Sequence, residues 1–356
     1  MLSEAVGVRL GDLTTLRLGG PATRVVDVSS DDDLVAAVRD CDRRGEPVLV
    51  VGGGSNLVVA DEGFDGTVVR VLTRGVHVDA SSSCESGELA ACGGILVDAA
   101  AGEPWDDLVA RCVAEEWSGV EALSGIPGLV GATPMQNVGA YGQEVAQTLW
   151  QVRTYDRQDD RIRTFANADC RFGYRDSRFK GSSRYVILRV SYQLREGSLS
   201  APVGYAELAR TLGVAVGDRA PLSDVRAAVL RLRAAKGMVL EADDHDTWSA
   251  GSFFTNPVVE AEAAAALPEA APRWPMPDGR VKVSAAWLIE HAGFTRGYTG
   301  RHGDVSLSTK HTLALTNRGN ATTAHLLELA REVRDGVRRT FGVELVNEPM
   351  LVGCSL

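Results

Sequence analysis

The sequence predicts an α+β fold in two parts, on three observations. A strand-helix-strand pattern opens the chain and then turns β-rich, strand-like runs alternate with a single helix through the middle, and two amphipathic helices mark the C-terminal part. In the opening segment Val25-Val26-Asp27-Val28 reads as a strand, Ser30 caps a helix through about Arg43, and Pro47 to Val51 reads as a second strand. Gly52-Gly53-Gly54-Ser55-Asn56 then leads into Leu57-Val58-Val59-Ala60 and into Thr67 to Leu72, both strand patterns. The glycines therefore sit between strands, unlike those of a Rossmann fold, which open a helix. From about Cys84 to Leu194 strand-like runs flank one helix, near Pro104 to Glu115, and a Gly- and Pro-rich loop runs from Leu123 to Gly142. Loops of that length inside a compact domain are usually functional. The pattern breaks at Arg195-Glu196-Gly197-Ser198, which places a domain boundary at 198/199. Beyond it, Ser223 is expected to cap a helix with Val225, Val229 and Leu232 on one face. The Ala-rich stretch from Glu260 to Ala271 reads as a surface loop or short helix. Asn320 is expected to cap a long helix bearing Leu326, Ala330, Val333 and Val337, which Gly342 ends before a final strand carrying Glu348.

Composition narrows the function classes. The 356 residues are 45% hydrophobic and 24% charged, ordinary values for a globular chain. A net charge of -10 repels a polyphosphate backbone, and no basic run reverses that locally, so nucleic acid is not an expected partner. The first residues show neither a basic nor an apolar leader pattern, and no stretch reaches the ~20 apolar residues that span a bilayer, so a cytoplasmic protein with no membrane partner is expected. Cys41, Cys84, Cys92, Cys112, Cys170 and Cys354 form no C-x-x-C pair, and the histidines form no H-x-x-x-H pair. The cysteines read as reduced structural thiols, and no metal site is expected.

Five segments could carry chemistry. In Gly52-Gly53-Gly54-Ser55-Asn56 the missing side chains let backbone N–H groups face an anion, although alone the segment reads equally as a turn. The run Ser124-Gly125-Ile126-Pro127-Gly128 through Thr133-Pro134-Met135-Gln136-Asn137-Val138-Gly139-Ala140-Tyr141-Gly142 has no charges and suits backbone packed against a flat ligand, with Gln136 and Asn137 offering amides. In Tyr174-Arg175-Asp176-Ser177, Arg175 can fork onto a carboxylate; by itself it reads as a surface ion-pair partner. In Gly251-Ser252-Phe253-Phe254-Thr255-Asn256-Pro257 a hydroxyl beside two aromatics could donate a proton from a dry pocket; by itself it reads as a structural serine. The segment lacks the G-x-S-x-G spacing of a hydrolase elbow, which disfavours acyl transfer. Glu348 alone reads as a solvated carboxylate.

Taken together and in this order, with Thr14-Thr15-Leu16-Arg17-Leu18-Gly19-Gly20-Pro21-Ala22 ahead of them, these segments resemble the UDP-N-acetylenolpyruvoylglucosamine reductase family over nearly the whole chain. The resemblance implies a two-lobed FAD-binding domain of the vanillyl-alcohol-oxidase type over 1–198, with lobes of about 1–75 and 76–198, and a substrate-binding domain over 199–356 whose last strand returns to the active site. It implies non-covalent FAD held by Gly52, Gly53, Gly54, Ser55, Asn56, Thr133, Met135, Gln136, Asn137, Gly139 and Tyr141. NADPH is implied as hydride donor and UDP-N-acetylenolpyruvoylglucosamine as substrate, occupying one cavity in turn. Residue by residue, Ser252 matches the family's general acid, and Arg175 and Glu348 its partners around the enolpyruvyl carboxylate. Tyr205, Lys236 and Asn256 match the contacts to diphosphate and uridine, and Tyr205 places the chain in the branch with a mobile tyrosine lid. A monomer or weak dimer is implied. Two positions depart from the pattern: Pro349-Met350 follows Glu348 where Val-Arg is common, so one cation is missing, and His311 stands where some members carry Gln.

Two rival readings are weaker. An oxidase of the same FAD-binding superfamily would often tether FAD through His or Cys near the pyrophosphate loop, and Gly52 to Ala60 contains neither. A non-catalytic sugar-nucleotide sensor would be marked by loss of Ser252, Arg175 or Glu348, and all three are present.

Overall fold

The computed structural model describes residues 3–80 and 94–356, so Cys84 and Cys92 lie outside the described residues. The other four cysteines are free thiols. Two compact units emerge, one formed by residues 1–6, 23–53 and 65–234, the other by 7–22, 54–64 and 235–356.

The first unit is built on a four-stranded and a six-stranded sheet. One has four strands in the order Ser3–Ala5, Ala22–Val28, Phe64–Val71, Val48–Val51, the last two parallel. Helix α1 (Asp31–Arg44) joins Ala22–Val28 to Val48–Val51, as expected for the strand-helix-strand pattern. Its cap is Ser30, whose hydroxyl accepts the Asp33 N–H at 3.1 Å. The second sheet runs Arg161–Ala166, Leu149–Asp156, Tyr185–Glu196, Gly94–Ala100, Val76–Asp79, antiparallel throughout. Along Tyr185–Glu196, Val186, Leu188, Val190, Tyr192 and Leu194 are all buried, the period of two that fixes which face enters the core. Helix α2 (Trp105–Ala114) packs Trp105, Leu108 and Val109 into the same core. Helices α3 (Ala206–Leu212) and α4 (Leu222–Ala235) build a smaller cluster from Leu208, Ala209, Val225 and Val229 with Ala122 and Val203. That cluster, with the Arg226–Asp106 ion pair, holds α3 and α4 in this unit, which the chain leaves after Ala234.

The second unit packs α5 (Ala261–Ala265), α6 (Ala285–His291) and α7 (Thr323–Phe341) around Phe253, Phe254, Leu288, Leu326 and Val333. Short strands complete it; among them Met350–Val352 runs parallel to Leu57–Val59, directly after the glycine segment. The Ala-rich stretch contains the short helix α5, and Gly342 ends α7 in the left-handed region at φ 69°.

Three expectations are corrected. Ser223 lies inside α4, because Pro221 precedes the helix and its carbonyl already takes the Val225 N–H. Asn320 does not cap α7; Thr322 does, accepting the His325 N–H at 3.2 Å, while the Asp61 carboxylate takes the Thr323 and Ala324 N–H groups. Glu348 lies just ahead of the final strand, not on it. Among the described residues, no helix is long and apolar enough to cross a membrane.

Candidate active site

In the first unit the two glycine-rich segments face each other. A Cβ built on Gly53 would lie 2.8 Å from the Cα of Gly128, and one on Gly52 would touch Leu129. Backbone meets backbone at Gly53 and Gly128, leaving no room there for a side chain. Such a cradle fits the pyrophosphate of a dinucleotide, and with it a flavin nucleotide.

Three bonds stitch the second glycine segment to the arginine segment. Asn137 Nδ2 donates to Gly173 O at 3.0 Å, Ser177 Oγ to Met135 O at 2.7 Å, and Arg175 Nη2 to Gly139 O at 2.7 Å. Arg175, Asn137 and Tyr141 all take positive φ, at 51°, 50° and 48°. Non-glycine residues held in that region cluster where function requires a fixed side-chain direction. The guanidinium of Arg175 is thus aimed by its own backbone and braced on Gly139.

Two sequence readings change in detail here. Asn137 is 2% exposed, and its amide is used internally: Nδ2 also donates to Glu144, and Oδ1 accepts the Ala146 N–H. Thr133 likewise donates to Val130 O and shares a 2.6 Å hydrogen bond with the Tyr192 hydroxyl. Both residues shape the loop from within. Met135 and Gln136 sit between them, half-buried.

Gly139-Ala140 and Gln143-Glu144 form a two-residue hairpin whose turn is Tyr141-Gly142. Burial pushes the Tyr141 phenol up to about 12, with the nearby Arg233 acting against that shift. Tyr205, at the start of α3 and 44% exposed, meets the Tyr141 ring edge-on with centroids 5.6 Å apart.

Sequence reasoning missed a clamp behind the loop. Asp106, in the first turn of α2, accepts the Gly125 N–H at 2.6 Å and binds Arg226 of α4 through both oxygens, at 2.7 and 2.8 Å. No sequence signal joins residues 120 positions apart. Burial works to raise the Asp106 carboxyl, but Arg226 and Gly125 overcome it and hold the group below its ordinary value. A carboxyl depressed on folding stabilises fully above its unfolded value, about 3.9, and that contribution fades as pH falls through the folded value. Asp106→Asn is therefore expected to lower the melting temperature by an amount that is constant from about pH 5 upward and shrinks below about pH 4. Melting curves across pH check this, and a gap that widens in acid would refute it.

In the second unit the serine segment is held on both sides. Phe253 N donates to Leu313 O at 2.7 Å, Glu348 N to Phe253 O at 2.8 Å, and Thr255 N to Val346 O at 3.0 Å. These bonds bring Glu348 alongside the segment carrying Ser252. Gly251, at φ 72°, turns the chain just before the hydroxyl, and Phe253 and Phe254, each 1% exposed, anchor it in the core. Asn256 Oδ1 accepts the Ala285 N–H at 2.9 Å, so one end of that amide starts α6. Lys236 follows α4 and precedes Gly237, where φ is 65°. Ser55 and Asn56 are half-buried, and Asn56 O takes the Met350 N–H at 3.0 Å, which pairs the glycine segment with the last strand. Met350 is exposed and supplies no cation after Glu348. Among the described residues, no group of three or more His, Cys, Asp or Glu could hold a metal ion.

The fold and the glycine cradle define a flavoprotein: the FAD binding domain family matches residues 22–165. The C-terminal domain of UDP-N-acetylenolpyruvoylglucosamine reductase matches residues 243–352. Proteins of that name from Cutibacterium acnes and Thermobifida fusca are 56% and 57% identical to this chain, covering 100% and 99% of it and 92% and 99% of their own lengths. The crystal structure of the Thermus caldophilus UDP-N-acetylenolpyruvylglucosamine reductase superposes with a TM-score of 0.64 at 25% identity, over 99% of each chain. The chain belongs to the UDP-N-acetylenolpyruvoylglucosamine reductase family.

Proposed function

We infer that this protein is an FAD-dependent oxidoreductase that uses NADPH to reduce UDP-N-acetylenolpyruvoylglucosamine to UDP-N-acetylmuramate, in peptidoglycan precursor synthesis. The observation that carries this reading is full-length identity of 56–57% to reductases of that name, on a chain that keeps Ser252, Arg175 and Glu348. The matched spans, 22–165 and 243–352, support a division of labour in which residues 1–198 bind FAD and 199–356 bind substrate.

Bound FAD supplies the two-electron carriage between nicotinamide and substrate. Gly52, Gly53, Gly54, Ser55 and Asn56, with Thr133, Met135, Gln136, Asn137, Gly139 and Tyr141, hold it, the glycines through close backbone approach. Tyr205, Lys236 and Asn256 bind the sugar nucleotide: Lys236 as a point charge on the diphosphate, Tyr205 as a ring that closes over it. Arg175 engages the enolpyruvyl carboxylate. When hydride reaches the terminal enolpyruvyl carbon, negative charge develops on the neighbouring carbon and spreads into that carboxylate, where the Arg175 guanidinium stabilises it and Glu348, as a neutral carboxyl, donates a hydrogen bond to the enol-like state. Ser252 gives its proton to that carbon, and solvent restores it. Phe253 and Phe254 beside Ser252 support this assignment, because a partly dry site strengthens each of these electrostatic contacts.

We place the reaction in the cytoplasm, since both substrates are multiply charged nucleotides that an apolar bilayer core does not admit. The net charge of -10 supports a protein without nucleic-acid partners. We take it to work as a monomer or weak dimer without a membrane partner. The test is product analysis: NADPH consumption should depend on the enolpyruvyl sugar nucleotide, and the product should be heavier by two hydrogens. NADPH consumption unaffected by that substrate would overturn the reading.

A further inference from the structure

Glu121 is 1% exposed and lies in the short turn Glu121–Leu123, ahead of the Ser124-Gly125 glycine segment. A buried carboxylate persists only where donors surround it. Here three N–H groups do so: Gly119 N reaches Oε2 at 2.6 Å, and Gln143 Nε2 and Ala201 N reach Oε1 at 2.9 and 2.8 Å. The Gln143 carbonyl returns a bond, accepting the Ala122 N–H at 2.7 Å.

The identity of the donors gives the arrangement meaning. Gln143 belongs to the hairpin whose turn is Tyr141-Gly142, paired to Ala140 across it. Ala201 starts the segment 201–205, which ends at Tyr205 and is pinned on its far side by Val203 N to Asp218 O at 2.8 Å. Beyond Glu121 the same two elements touch again: the Tyr141 and Tyr205 rings meet at 5.6 Å, and a Cβ on Gly142 would lie 3.4 Å from Gly204. One buried oxygen atom, Oε1, therefore ties the base of the Tyr141 hairpin to the base of the Tyr205 segment.

We propose that Glu121 is a positioning residue for sugar-nucleotide binding, which sets the stance of Tyr205 against Tyr141 without touching the ligand. It rests on the reading of Tyr205 as a substrate contact. Glu121→Met keeps the length of the side chain but removes both acceptor oxygens, so the bonds to the hairpin and to the Tyr205 segment are both lost.

The experiment compares steady-state kinetics of the FAD-loaded wild type, Glu121→Met, Tyr205→Ala and the double variant, with melting temperatures alongside. Glu121→Met is expected to raise KM for the enolpyruvyl sugar nucleotide at least about tenfold, the effect of one or two lost buried hydrogen bonds, with kcat within about threefold. In the Tyr205→Ala background it should add little. Gln143→Met, which cuts the arm to the hairpin and leaves the bond from Ala201 in place, should raise KM in the same direction and serves if Glu121→Met does not fold. A lower melting temperature with KM unchanged would mean a merely structural role and overturn the proposal. Full additivity in the double variant would overturn it as well. If Tyr205→Ala itself leaves KM unchanged, the reading of Tyr205 fails and this proposal with it; if Tyr205→Ala raises KM and Glu121→Met does not, this proposal fails alone.

Discussion

Ser252→Ala is expected to slow the oxidative half-reaction, in which the enolpyruvyl substrate is reduced, by on the order of 10²–10⁴. Reduction by NADPH should stay near the wild-type rate. The split follows from where the hydroxyl acts. Protonation of the substrate carbon occurs only after hydride has arrived, and reduction by NADPH requires no such proton. The structure makes the variant a clean one. Phe253, Thr255 and Glu348 hold the segment through backbone bonds, and Phe253 and Phe254 anchor it, so removal of one oxygen leaves the turn standing. A serine hydroxyl is a weak acid, and its role depends on charge developing on the substrate beside it. Stopped-flow absorbance on each half-reaction separately checks the prediction. Equal loss in both would remove Ser252 from the role of general acid and reduce it to a packing residue.

The second large effect falls on the glycine cradle. Gly53→Val is expected to yield protein that retains FAD at least tenfold less well, because the new side chain starts 2.8 Å from the Gly128 Cα and must push the two loops apart. Gly54→Ala should do more damage, and to folding as well. Its φ is 59°, which alone costs an alanine about 1 kcal/mol, and its Cβ would run into the carbonyl of Leu13. Flavin content per chain after gel filtration, read with melting temperature, separates the two. Gly53→Val should lose flavin while the apoprotein remains folded, whereas Gly54→Ala should lose both. Full flavin occupancy in Gly53→Val would show that the loops do not form the cofactor cradle.

What the sequence displayed and what it hid follow one physical division. The glycine segments were legible because absent side chains are a local property: three successive glycines between strand patterns say that backbone must come close to something. The Ser30 cap and the Gly342 terminus of α7 were legible for the same reason, each acting within one helical turn. The α7 cap was misread because Asn320 and Thr322 are both suited to capping, and the choice was made with help from Asp61, 262 positions from Thr323. Asn137 was legible as important but not in its task. Its amide satisfies Glu144, Gly173 and Ala146, partners that only folding brings together. Asp106 and Glu121 were invisible among the chain's carboxylates, since their weight comes from Arg226 and Ala201, 120 and 80 positions away. Ser252, Arg175 and Glu348 were singled out through the order of several motifs at once, which no single motif would have supported.

In the proposed reaction one chain passes reducing equivalents from NADPH to an enolpyruvyl sugar nucleotide through bound FAD. An anaerobic visible spectrum of the purified protein, titrated with NADPH and then with UDP-N-acetylenolpyruvoylglucosamine, tests it most directly. The flavin band is expected to bleach with NADPH and to return on addition of the enolpyruvyl compound, with no oxygen present. A band that bleaches but returns only when oxygen is admitted would contradict it and point to an oxidase, and a protein that binds no flavin would contradict the cofactor assignment itself.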